Sequence, residues 1–170
     1  MTATVRVRRA ADADLPALVA IYNQAIASRV ATGHLEPFTV AARQAWFAEH
    51  RRPATPLLVA ELAGQVAGYA TLAAYRGGRG AFAGCRELSY YVAAGCRRRG
   101  VAGTLLEHAV AACPALGVTA LVSFLLAANG PSIALLERHG FACWGRLPAL
   151  AVIDGRACDH LIYGRRLVWA

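Results

Sequence analysis

Lysine is absent: all 18 basic residues are arginine. That absence removes the chemistries that need a lysine amine, namely a Walker-type phosphate loop, a kinase-type phosphate lysine and a Schiff base to pyridoxal phosphate. Charge is scarce as well, with 16% of residues charged and 57% hydrophobic, the reverse of what a disordered chain carries. Long apolar runs are missing. The longest, residues 118–128, contains Thr119 and Ser123 and falls far short of the ~18–20 residues that span a bilayer. The opening Met1-Thr2-Ala3-Thr4-Val5-Arg6 has no apolar signal core. The 5 cysteines, at 85, 96, 113, 143 and 158, are odd in number and form no C-x-x-C pair. That argues against a disulfide framework or a zinc ribbon. The expectation is a soluble, cytoplasmic protein with reduced thiols, no membrane partner and no metal. Its 170 residues form a single domain over 1–170, long enough to bury a sizeable core.

The net charge of +8 favours an anionic partner without naming one. Arginines cluster at 6/8/9, 51/52, 97–99 and 165/166, and a solvated face is the other reading of each cluster. No interleaved stacking aromatics or reader motif accompany them, so nucleic acid is not the expected partner.

The pattern along the chain alternates between strand and helix periods. Val5 to Arg8 reads as a strand. Asp12 is placed to cap a helix to about Ala27, whose Leu15, Leu18, Val19, Tyr22 and Ile26 share one face. Thr39 is placed to cap a second helix that ends near His50, ahead of Pro53 and Pro56. Residues 57–62 and 65–74 read as a hairpin, followed by a Gly- and Arg-rich loop at 75–84 and a strand at 87–92. A helix follows Gly100, with Val101, Leu105, Leu106, Ala109, Val110 and Cys113 on one face. Residues 117–126 read as a buried strand. Asn129 caps a short helix with Pro131 in its first turn and Gly140 at its end, and two final strands occupy 141–150 and 154–168. The order β-α-α-β-β-β-α-β-α-β-β predicts an α/β (α+β) fold around a mixed, mostly antiparallel sheet of about seven strands with flanking helices.

The segment richest in chemistry is the loop 97–104. A turn of small residues that opens a helix leaves the first backbone N–H groups unpaired, and these suit a phosphate together with the positive end of the helix dipole. Gly100, Ala102 and Gly103 are small enough for an anion to reach the main chain, and Arg98 and Arg99 add charge. An ordinary basic turn is the competing reading.

The motif Arg97-x-x-Gly100-x-Ala102 after a strand resembles the acyl-coenzyme A pyrophosphate loop of the GNAT acetyltransferase superfamily. Asn129-Gly130-Pro131-Ser132 followed by Leu136-Glu137-Arg138-His139-Gly140-Phe141 resembles its second signature. Further stretches resemble the phosphinothricin and methionine sulfone/sulfoximine acetyltransferase branch. They are Ile21-Tyr22-Asn23 through Glu36-Pro37, Val66-Ala67-Gly68-Tyr69-Ala70, Glu87-Leu88-Ser89-Tyr90-Tyr91-Val92, and Asp154-Gly155-Arg156 with Asp159. The resemblance implies a GNAT fold, acetyl-coenzyme A as co-substrate, a small amino acid or analogue as the amine acceptor, and a homodimer.

By the same resemblance, main-chain groups of Tyr90, Tyr91 and Val92 pair with the pantetheine arm. Arg97, Arg98, Arg99, Gly100, Val101, Ala102, Gly103 and Thr104 surround the pyrophosphate. Asn129 and Ser132 contact the coenzyme, Asn129 near its thiol end; helix capping is a compatible role for Asn129. Glu87 matches the general base, with a structural pairing to an arginine as the other reading. Arg76, Phe82 and Glu36 fall in the acceptor loops, where Arg76 suits a carboxylate or sulfone oxygen pair; a solvated arginine and a core phenylalanine are the plainer readings. Three positions depart from the pattern. Leu136 stands where members carry Tyr or His, and leucine donates no proton. Cys158 stands at a branch histidine, and Gly33 replaces a phenylalanine, which enlarges the amine pocket. A peptide or protein N-terminal acetyltransferase and a weakly active coenzyme-binding module are the alternative functions.

Overall fold

The computed structural model describes residues 4–167. Seven strands form one sheet: β1 (Arg6–Arg9), β2 (Leu57–Leu62), β3 (Gln65–Ala74), β4 (Cys85–Val92), β5 (Ala120–Leu126), β6 (Ala142–Ile153) and β7 (Arg156–Arg166). Their order is β1-β2-β3-β4-β5-β7-β6. Every neighbouring pair is antiparallel except β4 and β5. The helices are α1 (Leu15–Ala27), α2 (Gln44–His50), α3 (Val101–Ala112) and α4 (Gly130–Arg138). The mixed, mostly antiparallel sheet and the element order match the sequence expectation. Among the described residues no helix is long and apolar enough to cross a membrane.

The sheet separates two cores. On one face α1 and α2 bury Leu18, Tyr22, Ile26 and Phe47 against Leu57, Val59 and Tyr69. On the other face α3 buries Val101, Leu105, Leu106 and Ala109 against Leu58, Ala70, Leu88, Leu121 and Leu136. Side chains alternate across a strand. Leu88, Tyr90 and Val92 of β4 therefore join the α3 core, while Tyr91 joins the α1–α2 core.

Turn chemistry sets the hairpins. Ala63 and Gly64 both have positive φ, 52° and 77°, as do Asp154 and Gly155, 48° and 76°. Two consecutive left-handed residues make the primed turn whose twist matches the flanking strands. The last strand ends at Arg166, and Val168 of the expected 154–168 segment lies outside the described residues.

The start of α1 differs from the expectation. Asp12 does not cap it; residues Asp12–Asp14 form a 3-10 turn, and Asp12 pairs with Arg51. Asp14 does the work at this end. Its buried carboxylate accepts the Ala11 N–H at 2.7 Å and both terminal nitrogens of Arg8 at 2.6 and 2.9 Å. Arg8 Nε donates to Glu61 at 2.7 Å, so one guanidinium joins β1, the head of α1 and β2. The bidentate Arg8 contact holds the Asp14 carboxyl below the usual carboxylate range, and it raises Arg8. Thr39 does not cap α2 itself: it accepts the Ala42 N–H at 3.2 Å in the 3-10 turn Ala41–Arg43 that precedes α2, whose own start at Arg43 has no side-chain cap.

Asp14→Ala is expected to cost roughly 2–4 kcal/mol in urea unfolding, because it leaves a half-buried guanidinium with one partner fewer. A depressed carboxyl stabilises the fold above its unfolded pKa and loses that contribution as pH falls through its folded value. Wild-type stability should therefore decline at acid pH more steeply than that of Asp14→Ala; parallel pH curves would contradict the assignment.

Candidate active site

The parallel ladder between β4 and β5 has three rungs: Cys85–Ala120, Arg86–Leu121 and Glu87–Val122. Beyond Glu87 the strands separate, held at the fork by the buried Ser123 hydroxyl, which donates to the Leu88 carbonyl at 2.7 Å. A cleft of about 660 Å³ opens there. One wall is Leu88 through Val92, the other is Ser123 to Leu125 with Asn129, Pro131 and Ser132. Val30 and Ala31, just past α1, close over part of it.

At the far end the cleft meets the start of α3. Gly100 precedes the helix with φ +81°, a left-handed conformation that costs other residues strain. It offers no side-chain cap, and the first intrahelical bond runs from Thr104 N to the Gly100 carbonyl at 3.0 Å. The N–H groups of Val101, Ala102 and Gly103 have no intrahelical partner, and all three residues line the cleft. Arg97, Arg98, Arg138 and His139 surround this end. Such an arrangement is suited to a diphosphate.

The tertiary structure thus gathers Tyr90, Tyr91, Val92, Arg97, Arg98, Gly100, Val101, Ala102, Gly103, Asn129 and Ser132 around one cavity. Arg99 and Thr104 lie outside its lining, the Thr104 hydroxyl donating to the Gly100 carbonyl at 3.1 Å. Asn129 caps α4 by accepting the Ser132 N–H at 3.3 Å. Glu87 is half-buried on the last ladder rung, one residue outside the lining. Burial pushes its carboxyl above the usual range, and the Ser89 hydroxyl partly offsets this.

Arg76 and Phe82 are not in this cleft. They line a smaller one of about 340 Å³ with Tyr75, Arg79 and Arg86. Glu36 and Cys158 line neither. Gly33 meets open space. Leu136 is fully buried in the α3 core and does not line the cleft.

Sequence reasoning missed the aromatic series that joins the two clefts. Phe124 lines the larger one and stacks between Tyr75 (6.3 Å) and His160 (5.5 Å), and Tyr75 meets Phe82 edge-on at 5.6 Å. Arg138 and His139 were also missed. The 3.6-residue period of α4 places them beside the α3 start, but nothing local marks that neighbour.

A forked parallel pair that faces an uncapped helix start can receive an extended ligand with an anionic end. Comparison with known proteins agrees. Residues 18–141 match the acetyltransferase (GNAT) family. YwnH of Bacillus subtilis is 42% identical over 94% of this chain and 98% of its own length. An L-methionine sulfoximine/L-methionine sulfone acetyltransferase of Pseudomonas aeruginosa is 37% identical over 90% of this chain and 89% of its own. The crystal structure of a phosphinothricin acetyltransferase from Sinorhizobium meliloti in complex with AcCoA superposes with a TM-score of 0.89 at 33% identity, covering 98% of this chain and 89% of that one. The chain belongs to the GNAT acetyltransferase family and is an N-acetyltransferase.

Gly100→Val is expected to weaken acetyl-coenzyme A binding at least tenfold by calorimetry, since ~1–2 kcal/mol of left-handed strain distorts the loop. Unaltered affinity would show that the loop does not hold the coenzyme.

Proposed function

We propose that the chain transfers the acetyl group of acetyl-coenzyme A to the amine of a small amino acid or amino-acid analogue of the phosphinothricin or methionine sulfone type, in one direct step. The observation that carries this is the cleft itself. It starts where β4 and β5 separate and ends on unpaired N–H groups at α3. Its volume and its one cationic end suit an elongated ligand with an anionic terminus.

In this reading the open edge of β4 at Tyr90 to Val92 pairs with the pantetheine amides. The main chain of Gly100 to Gly103, with Arg97 and Arg98, holds the diphosphate. The coenzyme supplies an acyl carbon activated as a thioester. Glu87 takes the proton from the incoming ammonium, through Ser89 or a bridging water, because its carboxylate stands outside the cleft lining. A main-chain N–H of the β4 edge near Val92 stabilises the developing oxyanion. Arg76 receives the acceptor's oxygen pair across the Phe124–Tyr75–Phe82 series. Its guanidinium geometry fits a carboxylate, sulfone or phosphinate. The names and activities of the relatives support this acceptor class.

The proposal includes a homodimer and a cytoplasmic setting. Support for the dimer comes from edge strand β6, where Trp144, Leu147, Leu150 and Val152 are exposed. An exposed apolar edge strand favours pairing with a second chain. Leu150→Asp should convert the dimer to a monomer in light scattering; a monomeric wild type would end this part of the reading.

Glu87→Gln is expected to lower kcat roughly a hundredfold at pH 7 with the acetyl-coenzyme A affinity intact. The base must be ionised, so the wild-type rate should rise with pH through a value above the ordinary carboxylate range, and that limb should vanish in Glu87→Gln. Thiol release measured with methionine sulfone, phosphinothricin and a peptide panel checks both rate and acceptor. An unchanged kcat removes Glu87, and turnover on peptides alone replaces the acceptor class.

A further inference from the structure

Tyr90 carries a phenol that the reading above leaves unused. It lines the cleft, and its ring packs into the core that contains Leu136. Its O–H donates to the Ser132 hydroxyl on α4 at 3.0 Å, and Ser132 in turn is joined to Asn129 through the helix cap. The two walls of the cleft thus touch through a hydroxyl pair. Leu136, fully buried, offers no donor from α4. Cys158 lies outside the cleft, its thiol directed to the Asp159 carbonyl.

We propose that the Tyr90 phenol is the hydrogen-bond donor to the thioester sulfur during departure of the thiol, filling from β4 the place that Leu136 leaves without a donor. This rests on the acetyl-coenzyme A reading. As the C–S bond breaks, its electron pair passes to sulfur. With the thioester in the cleft, the Tyr90 O–H turns from the Ser132 oxygen to the sulfur, and the Ser132 O–H reverses to donate to the Tyr90 oxygen. The phenol keeps its proton. Burial pushes its pKa up to about 12, well above the ~8–9 of a thiol, so donation rather than full transfer is the favourable arrangement. The thiolate gains its proton from solvent after release, and the amine proton resides on Glu87. Atoms and charge balance without another reagent.

The experiment compares binding of coenzyme A and desulfo-coenzyme A, by calorimetry, at pH 7 and pH 10. A donor aimed at sulfur favours the thiolate, so coenzyme A should tighten by about tenfold relative to the desulfo compound as pH rises. Tyr90→Phe should abolish that difference, and Ser132→Ala should reduce it. The other charged or titratable groups lining the cleft are Cys96, Arg97, Arg98, Tyr91, Arg138 and His139, and they are common to all three proteins. In turnover, Tyr90→Phe should lose roughly tenfold in kcat with the KM for acetyl-coenzyme A and the Tm unchanged. A wild type whose preference does not change with pH overturns the inference whatever the variants do. Equal pH responses in wild type and Tyr90→Phe overturn it as well. Failure of both ligands to bind overturns the acetyl-coenzyme A reading along with it.

Discussion

The separation of β4 from β5 after three rungs is the constraint on which the rest of the structure depends. A parallel pair that stayed in register would satisfy its own main chain and leave nothing for a ligand. Here the ladder ends at Glu87–Val122, and the Ser123 hydroxyl fixes the fork by bonding to Leu88. Open main-chain edges are costly when buried, so a cleft lined by them is suited to an extended ligand that can pair with them. The same fork divides the labour. The α3 face of β4 contributes Tyr90 to the cleft, while Glu87 stays half-buried on the last rung.

Electrostatics grade the cleft from end to end. The uncapped start of α3, with Arg97 and Arg98 beside it, makes one end cationic. Glu87 sits where burial raises its carboxyl. A carboxyl shifted upward in this way suits the base role proposed for it better than a solvated glutamate would. Elsewhere the charges are structural. Arg8, Asp14 and Glu61 form a tight ion cluster far from the cleft, and the Arg146–Asp159 pair ties β6 to β7. The arginines are therefore spread among local ion pairs and the cleft end proposed to hold the diphosphate.

The secondary structure could be read in the sequence because its signals are short-range. The turn at Ala63-Gly64, the Asn129 cap and the periodic face of α3 act within a few residues, whereas the final turn falls at Asp154-Gly155, where the sequence pattern predicts the start of a strand. Asp12 failed as a cap for the opposite reason. Arg8 and Ala11 recruit Asp14, and Arg51 recruits Asp12, contacts that no local window contains. Resemblance assigns Arg76 and Phe82 to the acceptor loops, and in the structure they line a smaller cleft of their own. Distance across the Tyr75–Phe124 stack, not spacing along the chain, decides their relation to the site.

The sequence by itself determined the element order, the chemistry of the 97–104 loop and the absence of any lysine-based mechanism, since each follows from residue type and near neighbours. Only the tertiary structure decided which of those residues share a cavity. It set Glu87 just outside the lining, buried Leu136, and brought the Tyr90 phenol from β4 to the Ser132 hydroxyl on α4, 42 residues apart in sequence. Such meetings depend on how sheet and helices pack, and packing is a property of the whole chain rather than of any segment in it.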